Sequence, residues 1–459
     1  MRITNQRQLL DNAQSKPLRR LRRDALEILK RAVEAVDPRK AVENSLELRG
    51  GHLRFNETEL DLDGFSEVYV VGGGKAGGAM AEAVEALLGD RISDGVVNIL
   101  KGTEERYHTR KIELNGASHP IPDDESIGGT ARMLSIVERA KTDDLIVVLI
   151  SGGGSALMTC PAEGISLEEL RALTEMLLRS GATINELNAV RKHLSAVKGG
   201  QLAARAYPST IVSLILSDVV GDPLDTIASG PTAPDRSTFR DAAKVLQRYG
   251  LWTEAAGSVR RRLEAGLKSE IGETPKPGDK VFERVFNVVV GSNLVAAKAA
   301  VEEAEALGYK TLLLSTMVEG EARHVGTVYA GIAREISGSG HPIPKPAAVV
   351  AGGETTVRVE GSGRGGRNQE IALSAAMGME GISAVIAALA TDGVDGPTEA
   401  AGAFADGWTM RRAGSMGLIP DEFLMDNDSY GFFSRLGDAI LTGPTGTNVN
   451  DLAVILVSE

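Results

Sequence analysis

The chain contains little cysteine and few aromatic residues. Its 459 residues include one cysteine, Cys160, and only 4% of them are Phe, Trp or Tyr. A single cysteine excludes an internal disulfide framework and a zinc site built from several cysteines. Cys160 is therefore interpreted as a small buried filler, and the chemistry of the protein has to come from other side chains.

Positive charge and long apolar runs are also scarce. The 50 Lys and Arg residues are outnumbered by 62 Asp and Glu residues, and the net charge of −12 argues against nucleic acid or an anionic membrane as the main partner. No apolar stretch approaches the roughly 20 residues of a membrane helix, and the start MRITNQRQLL lacks the apolar region of a signal peptide. We therefore expect a cytoplasmic protein. The arginine cluster at residues 19–23 is interpreted as the solvated face of an amphipathic helix.

What the sequence does contain is the pattern of an α/β protein. Hydrophobic residues make up 42% of the chain, and short β-branched runs alternate with Ala- and Leu-rich stretches, which is typical of parallel sheets with helices on both faces. The nine predicted strands are residues 68–71, 96–100, 145–150, 211–216, 286–290, 311–314, 347–350, 385–389 and 453–457. Turn-rich segments at 231–235 and 269–280 indicate a division. We expect a Rossmann-like N-terminal domain of mostly parallel strands, residues 1–235, and a C-terminal α/β domain, residues 236–459.

Glycine is abundant, and it concentrates where predicted strands end. The first such loop is Gly72-Gly73-Gly74-Lys75, between a predicted strand and a predicted helix. Glycines there let the backbone approach a ligand, and the free amides at a helix start favour negative charge, so Lys75 is expected to face a bound anion. The spacing Gly72-x-Gly74-x-x-Gly77 is also the dinucleotide fingerprint, so a nicotinamide enzyme is an alternative.

Four more predicted strands end in small or acidic loops, at residues 151–156, 217–223, 351–356 and 391–397. Because the carboxyl ends of parallel strands line the ligand crevice of an open sheet, we expect all five loops to converge.

Two further segments supply positive charge. Helical spacing predicts one polar stripe formed by Asn188, Arg191, Ser195 and Lys198. His193 lies off that stripe and is interpreted as structural. In segment 361–370, four glycines surround Arg364 and Arg367, so the arginine beside the next helix start is expected to meet phosphate oxygens in a planar two-point contact.

Together these features indicate polyphosphate handling. Several anion-binding loops, the cations Lys75 and Arg367, and aspartates without nearby cysteine or paired histidine ligands suit a nucleotide with magnesium. Phosphoryl transfer asks the protein mainly for positioning and charge neutralisation. Neither a Walker A pattern nor the protein-kinase signature set is present, so the residues favour a kinase of another architecture.

Seven long motifs in fixed order carry a resemblance to a known family. They are VVGGGKAGGAM (70–80), LISGGGSALM (149–158), NAVRKHLSAVKGGQLA (188–203), SDVVGDPLDTIASGPT (217–232), GGETTVRVEGSGRGGRNQE (352–370), ATDGVDGPT (390–398) and GPTGTNVNDL (443–452). The chain resembles the type II glycerate kinases, or glycerate 2-kinases, whose C-terminal half is known as the MOFRL domain. The resemblance implies ATP-dependent phosphorylation of D-glycerate to 2-phosphoglycerate in a cleft between the two domains. It also implies that the family's essential lysine and arginine are Lys75 and Arg367.

The expected roles follow from this resemblance and from the residues. Catalysis is assigned to Lys75, Arg367 and Asp218, with Asp218 orienting or deprotonating the 2-hydroxyl. Substrate binding is assigned to Ser151, Gly153, Gly154, Ser155, Arg191 and Lys198. Binding of ATP is assigned to Gly73, Gly74, Gly352, Gly353, Glu354 and Asn368, and binding of Mg²⁺ to Asp392 and Asp395. No nucleic-acid or membrane partner is expected, and a homodimer is compatible with the sequence.

Two other functions compete with this hypothesis. The first is an NAD(P)H-dependent hydroxypyruvate reductase. The acidic residue that binds the ribose in NAD sites is missing, since the second strand ends at Leu100-Lys101, but Lys101 suits NADP and this alternative stays open. The second is a non-catalytic sensor of small anions, which has no use for both the aspartates and the cations.

Overall fold

The computed structural model of the protein describes residues 1–458 and divides into two compact units. One unit is Pro38–Val290, and the other combines Met1–Asp37 with the chain from Gly291 onward. No helix within residues 1–458 is both long and apolar enough to cross a membrane.

The strands in chain order are β1 (Glu47–Arg49), β2 (His52–Phe55), β3 (Thr58–Asp61), β4 (Val68–Gly73), β5 (Ile92–Leu100), β6 (Ile112–Ala117), β7 (Leu145–Ile150), β8 (Thr210–Leu216), β9 (Val285–Gly291), β10 (Lys310–Val318), β11 (Ala347–Gly353), β12 (Ala384–Ala390), β13 (Gly402–Asp406), β14 (Ala439–Ile440) and β15 (Asp451–Val457). The helices are α1 (Gln6–Asp11), α2 (Lys16–Ala35), α3 (Pro38–Ser45), α4 (Gly77–Leu88), α5 (Asp124–Arg139), α6 (Gly154–Leu157), α7 (Leu167–Arg179), α8 (Ile184–His193), α9 (Gln201–Ala206), α10 (Phe239–Arg248), α11 (Gly257–Leu267), α12 (Asn293–Ala306), α13 (Ala322–Ser339), α14 (Arg367–Met377), α15 (Thr409–Ser415), α16 (Pro420–Met425) and α17 (Ser429–Leu436).

The unit boundaries differ from the expected division at residues 235 and 236, for two packing reasons. Helices α10 and α11 share a buried cluster with α7 and α8, in which Phe239 and Leu263 meet Leu173 and Leu187. They therefore belong with the preceding chain, as does β9, which pairs with β8. Helix α2 packs along α12 and on β12 and β15, so the start of the chain joins the C-terminal unit.

The unit Pro38–Val290 is built on a six-stranded sheet in the order β6-β5-β4-β7-β8-β9, in which β4 to β8 run parallel. Every residue of β4, β7 and β8 is buried, which fits strands covered by helices on both faces. Cys160 is half-buried against this core. A small three-stranded sheet, β1-β2-β3, completes the unit.

The strand order of this sheet reverses between β4 and β7. From β4 the chain builds outward through β5 to β6, and from β7 it builds the other way to β8 and β9. In open parallel sheets such a reversal leaves a crevice at the carboxyl ends of the two central strands. The first glycine loop follows β4, and the second follows β7.

The second sheet has the order β10-β11-β15-β12-β13-β14 and is mixed, not parallel. Strands β10 and β11 are parallel, but β15 runs antiparallel between β11 and β12, and β13 pairs antiparallel with β12. The sequence does not reveal the strand directions, because a strand buried on both faces is apolar throughout and lacks the alternation of polar and apolar residues. The two-unit α/β architecture, with a mostly parallel first sheet, is confirmed.

All nine predicted strands are present, but several others were not predicted. Strand β6 has the mixed sequence Ile-Glu-Leu-Asn-Gly-Ala of a half-exposed edge, and β13 is a short run containing two alanines, which have low β-propensity. The unpredicted strand β6 matters most, because its carboxyl end lies at the same edge as the glycine loops.

The arginine cluster at the start of α2 is not wholly solvated. Arg22 is completely buried, with Nη2 at 2.7 Å from Asp406 Oδ2 and Nη1 at 2.7 Å from Asp438 Oδ1. Helical periodicity places Arg22 on the same face as Leu18 and Ala25, which pack inward. The interpretation of a solvated face is therefore wrong for Arg22, although the other arginines of the cluster are exposed.

We predict that Arg22→Met destabilises the protein by about 3–5 kcal/mol, because it leaves two buried carboxylates short of their main cation. The free energy of unfolding from urea titration measures this loss. Replacing the exposed Arg31 of the same helix by Met is the matched control and should change stability by less than about 0.5 kcal/mol. Equal stability of the two variants would contradict the assignment.

Candidate active site

The loops that follow β4 and β7 are hydrogen-bonded to each other. The Lys75 N–H donates to the carbonyl oxygen of Gly152 (2.8 Å), and the Ala76 N–H donates to Ser151 Oγ (3.1 Å). Gly74 has φ +154°, and a Cβ on it would lie 2.0 Å from Ser151 Oγ. Only glycine allows this approach, so the strand-end loops form one backbone cradle.

Lys75 rises from this cradle. Its side chain is exposed, and its ammonium group has no hydrogen bond or ion pair with any part of residues 1–458. A Cβ on Gly153 would lie 3.2 Å from Lys75 Cγ and 2.9 Å from His119 Cδ2. The lysine stem and the histidine ring therefore both border the second glycine loop.

Asp218 borders the same loop from the end of β8. It is half-buried, and a Cβ on Gly152 would lie 2.2 Å from Asp218 Oδ2. The loops after three neighbouring strands are thus in contact, as the sequence analysis expected for this part of the chain.

Beneath the loop lies a buried lysine without an acidic partner. Lys198 is 3% exposed, and its Nζ donates to the carbonyl oxygens of Ser155 (2.6 Å) and Met158 (3.1 Å). Burial, reinforced by repulsion from Arg191, lowers the pKa of Lys198 to about 7. The loop thus rests on a cation whose charge no carboxylate of the described chain neutralises.

Arg191 adds a second positive charge of the same kind. It is half-buried, it forms no ion pair or side-chain hydrogen bond within the described part of the chain, and burial lowers its pKa. Most half-buried arginines are paired, because an unpaired guanidinium loses hydration without compensation. Arg191 and Lys198 together make the surroundings of Ser155 electropositive.

The predicted polar stripe of Asn188, Arg191, Ser195 and Lys198 does not lie on one helix. Helix α8 ends at His193, and Ser195 Oγ accepts the N–H groups of Val197 (3.1 Å) and Lys198 (3.2 Å) in the turn that follows. The cations come together through that turn. His193 is structural, as expected: Nδ1 lies 2.7 Å from the Ala189 carbonyl oxygen and Nε2 lies 3.1 Å from Glu273 Oε2.

A chain of polar side chains continues from the loop. Ser155 Oγ lies 3.0 Å from Ser229 Oγ, which donates to Asn188 Oδ1 at 3.0 Å. Ala228 and Ser229 have φ of +49° and +62°, a strained conformation for residues with a Cβ. Such strain is found at functional sites, where surrounding structure enforces it.

The other unit gathers its own set of polar groups at one sheet edge. Strands β11 and β12 both end next to the start of β15, with Gly353 and Ala390 each paired to Asp451. The close approach of the backbone explains the glycines here, since a Cβ would lie 1.9 Å from Asn293 Oδ1 at Gly352 and 2.2 Å from the Val318 carbonyl oxygen at Gly353. A role of these glycines in binding ATP remains a prediction.

The guanidinium group of Arg367 is held by two carboxylates. It binds Asp451 in a two-point contact, with Nη2 at 2.9 Å from Oδ1, and Nη1 lies 3.4 Å from Glu354 Oε1. Burial raises the pKa of Asp451 to about 7, against the opposing effect of Arg367. Asp451 was not singled out from the sequence, although it lies in a quoted motif two residues before a predicted strand.

The two predicted metal ligands occupy different environments. Both carboxylate oxygens of the buried Asp395 accept N–H groups at the start of α14, from Asn368 (3.1 Å) and Gln369 (2.9 Å). Asp395 is therefore a helix cap, and metal binding would break these bonds. Asp392 is half-buried, and one oxygen accepts the Val394 N–H (3.0 Å). Residues 1–458 contain no cluster of three or more side chains of the types His, Cys, Asp and Glu placed to hold a metal ion.

Comparison with known proteins places these features in context. Residues 24–264 match the family described as a domain of unknown function, DUF4147, and residues 347–451 match the MOFRL family. A glycerate 2-kinase of Pyrococcus horikoshii is 42% identical, with 96% of this chain and 98% of that protein aligned. A putative hydroxypyruvate reductase of Agrobacterium vitis is also 42% identical, over 93% of this chain and 92% of that protein. The crystal structure of a glycerate kinase from Thermotoga maritima superposes with a TM-score of 0.85 at 42% identity and covers 95% of this chain and 99% of that one.

The buried amine of Lys198 should leave a signature in the pH dependence of stability. Its folded pKa of about 7 lies below the ordinary value of 10.5, so the unfolded chain binds more protons between these values, and the cost of burying the charge is relieved as pH rises above 7. We predict that wild type gains about 1–2 kcal/mol relative to Lys198→Met between pH 7 and 9, measured by urea unfolding.

The control for this prediction is Lys244→Met, which removes an exposed lysine of α10. Its stability difference from wild type should stay constant over the same pH range. A constant difference for Lys198→Met as well would show that Lys198 is protonated throughout.

Proposed function

Because the chain belongs to the glycerate 2-kinase family of kinases, we propose that it transfers the γ-phosphoryl group of ATP, with Mg²⁺, to the 2-hydroxyl of D-glycerate and releases 2-phosphoglycerate. The observation that carries this proposal is the pair of cations without acidic partners, Arg191 and Lys198, beside the glycine cradle. A small acid with one carboxylate and adjacent hydroxyls would supply the negative charge and the hydrogen-bonding groups that these cations do not have from the protein.

The carboxylate of glycerate is proposed to bind near Arg191. A guanidinium group and a carboxylate fit each other in a planar two-point contact, which fixes orientation as well as charge. The backbone amide of Gly153 is proposed to supply a further donor. The Gly154 N–H already donates to the Ser151 carbonyl oxygen (3.0 Å), and the Ser155 hydroxyl lies 3.0 Å from Ser229 Oγ, so these two predicted contacts require a change of partner when the substrate binds. Lys198 does not need to touch the substrate, because its charge under the loop already favours an anion above it.

Lys75 is proposed to stabilise the transferring phosphoryl group. Its ammonium group has no partner within residues 1–458, and it rises from the switch point of the parallel sheet, where ligands of such folds bind. Charge that develops on the phosphoryl oxygens is stabilised most by donors that are already in place.

Gly73 and Gly74 are proposed to contribute to ATP binding. The residues Gly352, Gly353, Glu354 and Asn368 are proposed to contribute as well. Arg367 is proposed to exchange Asp451 for phosphate oxygens when the nucleotide binds. Asp392 is the better of the two predicted ligands for Mg²⁺, because only one of its carboxylate oxygens accepts a backbone hydrogen bond within residues 1–458, whereas both oxygens of Asp395 cap a helix. Bound Mg²⁺ would neutralise phosphate charge.

A hydroxypyruvate reductase is the competing function, since one relative carries that name. Strand β5 ends without the acid that binds a nicotinamide ribose. Near the end of that strand, the side-chain amide of Asn98 donates a hydrogen bond to the Leu157 carbonyl oxygen (2.7 Å). The ammonium group of Lys101 forms an ion pair with Glu125 (3.0 Å). Mixing the protein with hydroxypyruvate and NADPH should give no loss of absorbance at the NADPH band.

The product identifies the reaction. Incubation with D-glycerate, ATP and Mg²⁺ should give 2-phosphoglycerate, recognised by the coupling of phosphorus to the C2 proton in the NMR spectrum. Formation of 3-phosphoglycerate would overturn the regiochemistry, and absence of ADP would overturn the kinase assignment.

Lys75→Met should lower kcat by roughly 100- to 1,000-fold with the fold intact, because one transition-state donor is lost. Steady-state kinetics and circular dichroism measure the two quantities. The exposed Lys111→Met is the control and should keep wild-type turnover. Wild-type kcat in Lys75→Met would remove Lys75 from the mechanism.

A further inference from the structure

His119 lies at the glycine cradle but has no role in the scheme above. It follows β6, whose carboxyl end is at the same sheet edge as those of β4 and β7. The position of a Cβ on Gly153 would be 3.2 Å from His119 Nε2 and 3.2 Å from Lys75 Cγ. The imidazole and the lysine stem therefore border the same point of the loop.

The ring nitrogens of His119 have no hydrogen-bond partner within residues 1–458, although the side chain is half-buried. His193 shows the contrast, because both of its ring nitrogens lie within hydrogen-bonding distance of a protein oxygen. A half-buried polar group without a partner costs free energy unless a ligand or water satisfies it. The open nitrogens of His119 are next to the place where the substrate is proposed to bind.

The charged neighbours of His119 favour its neutral form. Burial, and then the positive charge of Lys75, lower the pKa of His119 below its ordinary value. Asp123, four residues later, accepts hydrogen bonds from Ser118 and Ser126. Asp218 lies on the Gly152 side of the loop. A neutral imidazole has a free acceptor nitrogen and is a stronger base than a carboxylate by roughly two pKa units in model compounds.

We infer that His119 is the general base that accepts the proton of the acceptor hydroxyl, a role that rests on the proposed function. As the proton passes to the imidazole, the hydroxyl oxygen forms a bond to the γ-phosphorus of ATP. The bond from that phosphorus to the β–γ bridging oxygen breaks, and ADP leaves with the electron pair. His119 then releases the proton to solvent, so the balance is glycerate and ATP to phosphoglycerate, ADP and one proton. Asp218 is left to orient the substrate.

Replacing His119 by Gln tests this role, since Gln keeps the size and polarity of the side chain but is not a base. We expect kcat to fall roughly 100-fold or more, while KM for D-glycerate changes less than about threefold. In the pH profile of kcat/KM, the fall in activity on the acidic side should disappear. The exposed His108→Gln in the same unit is the control and should keep the wild-type profile. Added imidazole should restore part of the activity of His119→Gly.

The outcomes separate this inference from the proposed function. If wild type forms no phosphoglycerate, the proposed function fails. If wild type is active but His119→Gln keeps its kcat and acidic limb, or changes only KM, the general-base role of His119 is overturned. Should the variants not fold, the imidazole resonances of wild type provide the test. D-Glycerate should shift those of His119 and not those of His108, and an unchanged His119 resonance would overturn the inference.

Discussion

The electrostatics of the Pro38–Val290 unit depend on two positive charges that the described chain does not neutralise. Lys198 is buried under the second glycine loop, and Arg191 is half-buried beside it, each without a carboxylate partner. Burying an uncompensated charge is unfavourable, so the rest of the unit has to hold these side chains in place. Carbonyl oxygens of Ser155 and Met158 do so for Lys198, and the resulting field acts on whatever lies above the loop.

Close backbone contact brings the rest of the site to that field. A Cβ would lie 2.0 Å from Ser151 Oγ at Gly74, 2.2 Å from Asp218 Oδ2 at Gly152 and 2.9 Å from His119 Cδ2 at Gly153, which is too close in each case. The lack of a Cβ at these glycines therefore allows the loops and the neighbouring side chains to pack closely. Such a cradle presents the Gly153 amide without rearrangement, which is the kind of preorganisation that phosphoryl transfer rewards.

The other unit handles its cation in the opposite way. Arg367 is paired with Asp451 and Glu354, and Asp451 is buried enough for its pKa to rise to about 7. The guanidinium group of Arg367 can leave these carboxylates only when another anion binds it more strongly. The Pro38–Val290 unit thus contains cations without carboxylate partners, whereas Arg367 of the other unit is paired with carboxylates.

Much of this organisation was predictable from sequence, and the exceptions have physical causes. Glycine loops, Lys75 and the strands before them were found because apolar runs followed by glycine are a strong local signal. The antiparallel direction of β15 was not predicted, since the sequence of a strand buried on both faces does not depend on its direction. His119 was missed because its strand, β6, has no apolar run, and Asp451 because it opens a strand that looked purely structural. The burial of Arg22 depends on two aspartates more than 380 residues away, which no local pattern shows.

A crystal structure of the protein with D-glycerate bound, in the absence of nucleotide, tests the central claim most directly. We predict that the glycerate carboxylate lies within about 2.7–3.2 Å of the Arg191 guanidinium group and of a backbone amide of the second glycine loop. The claim is contradicted if glycerate binds elsewhere while Arg191 turns to a protein carboxylate, because the cations would then serve the fold and not a substrate.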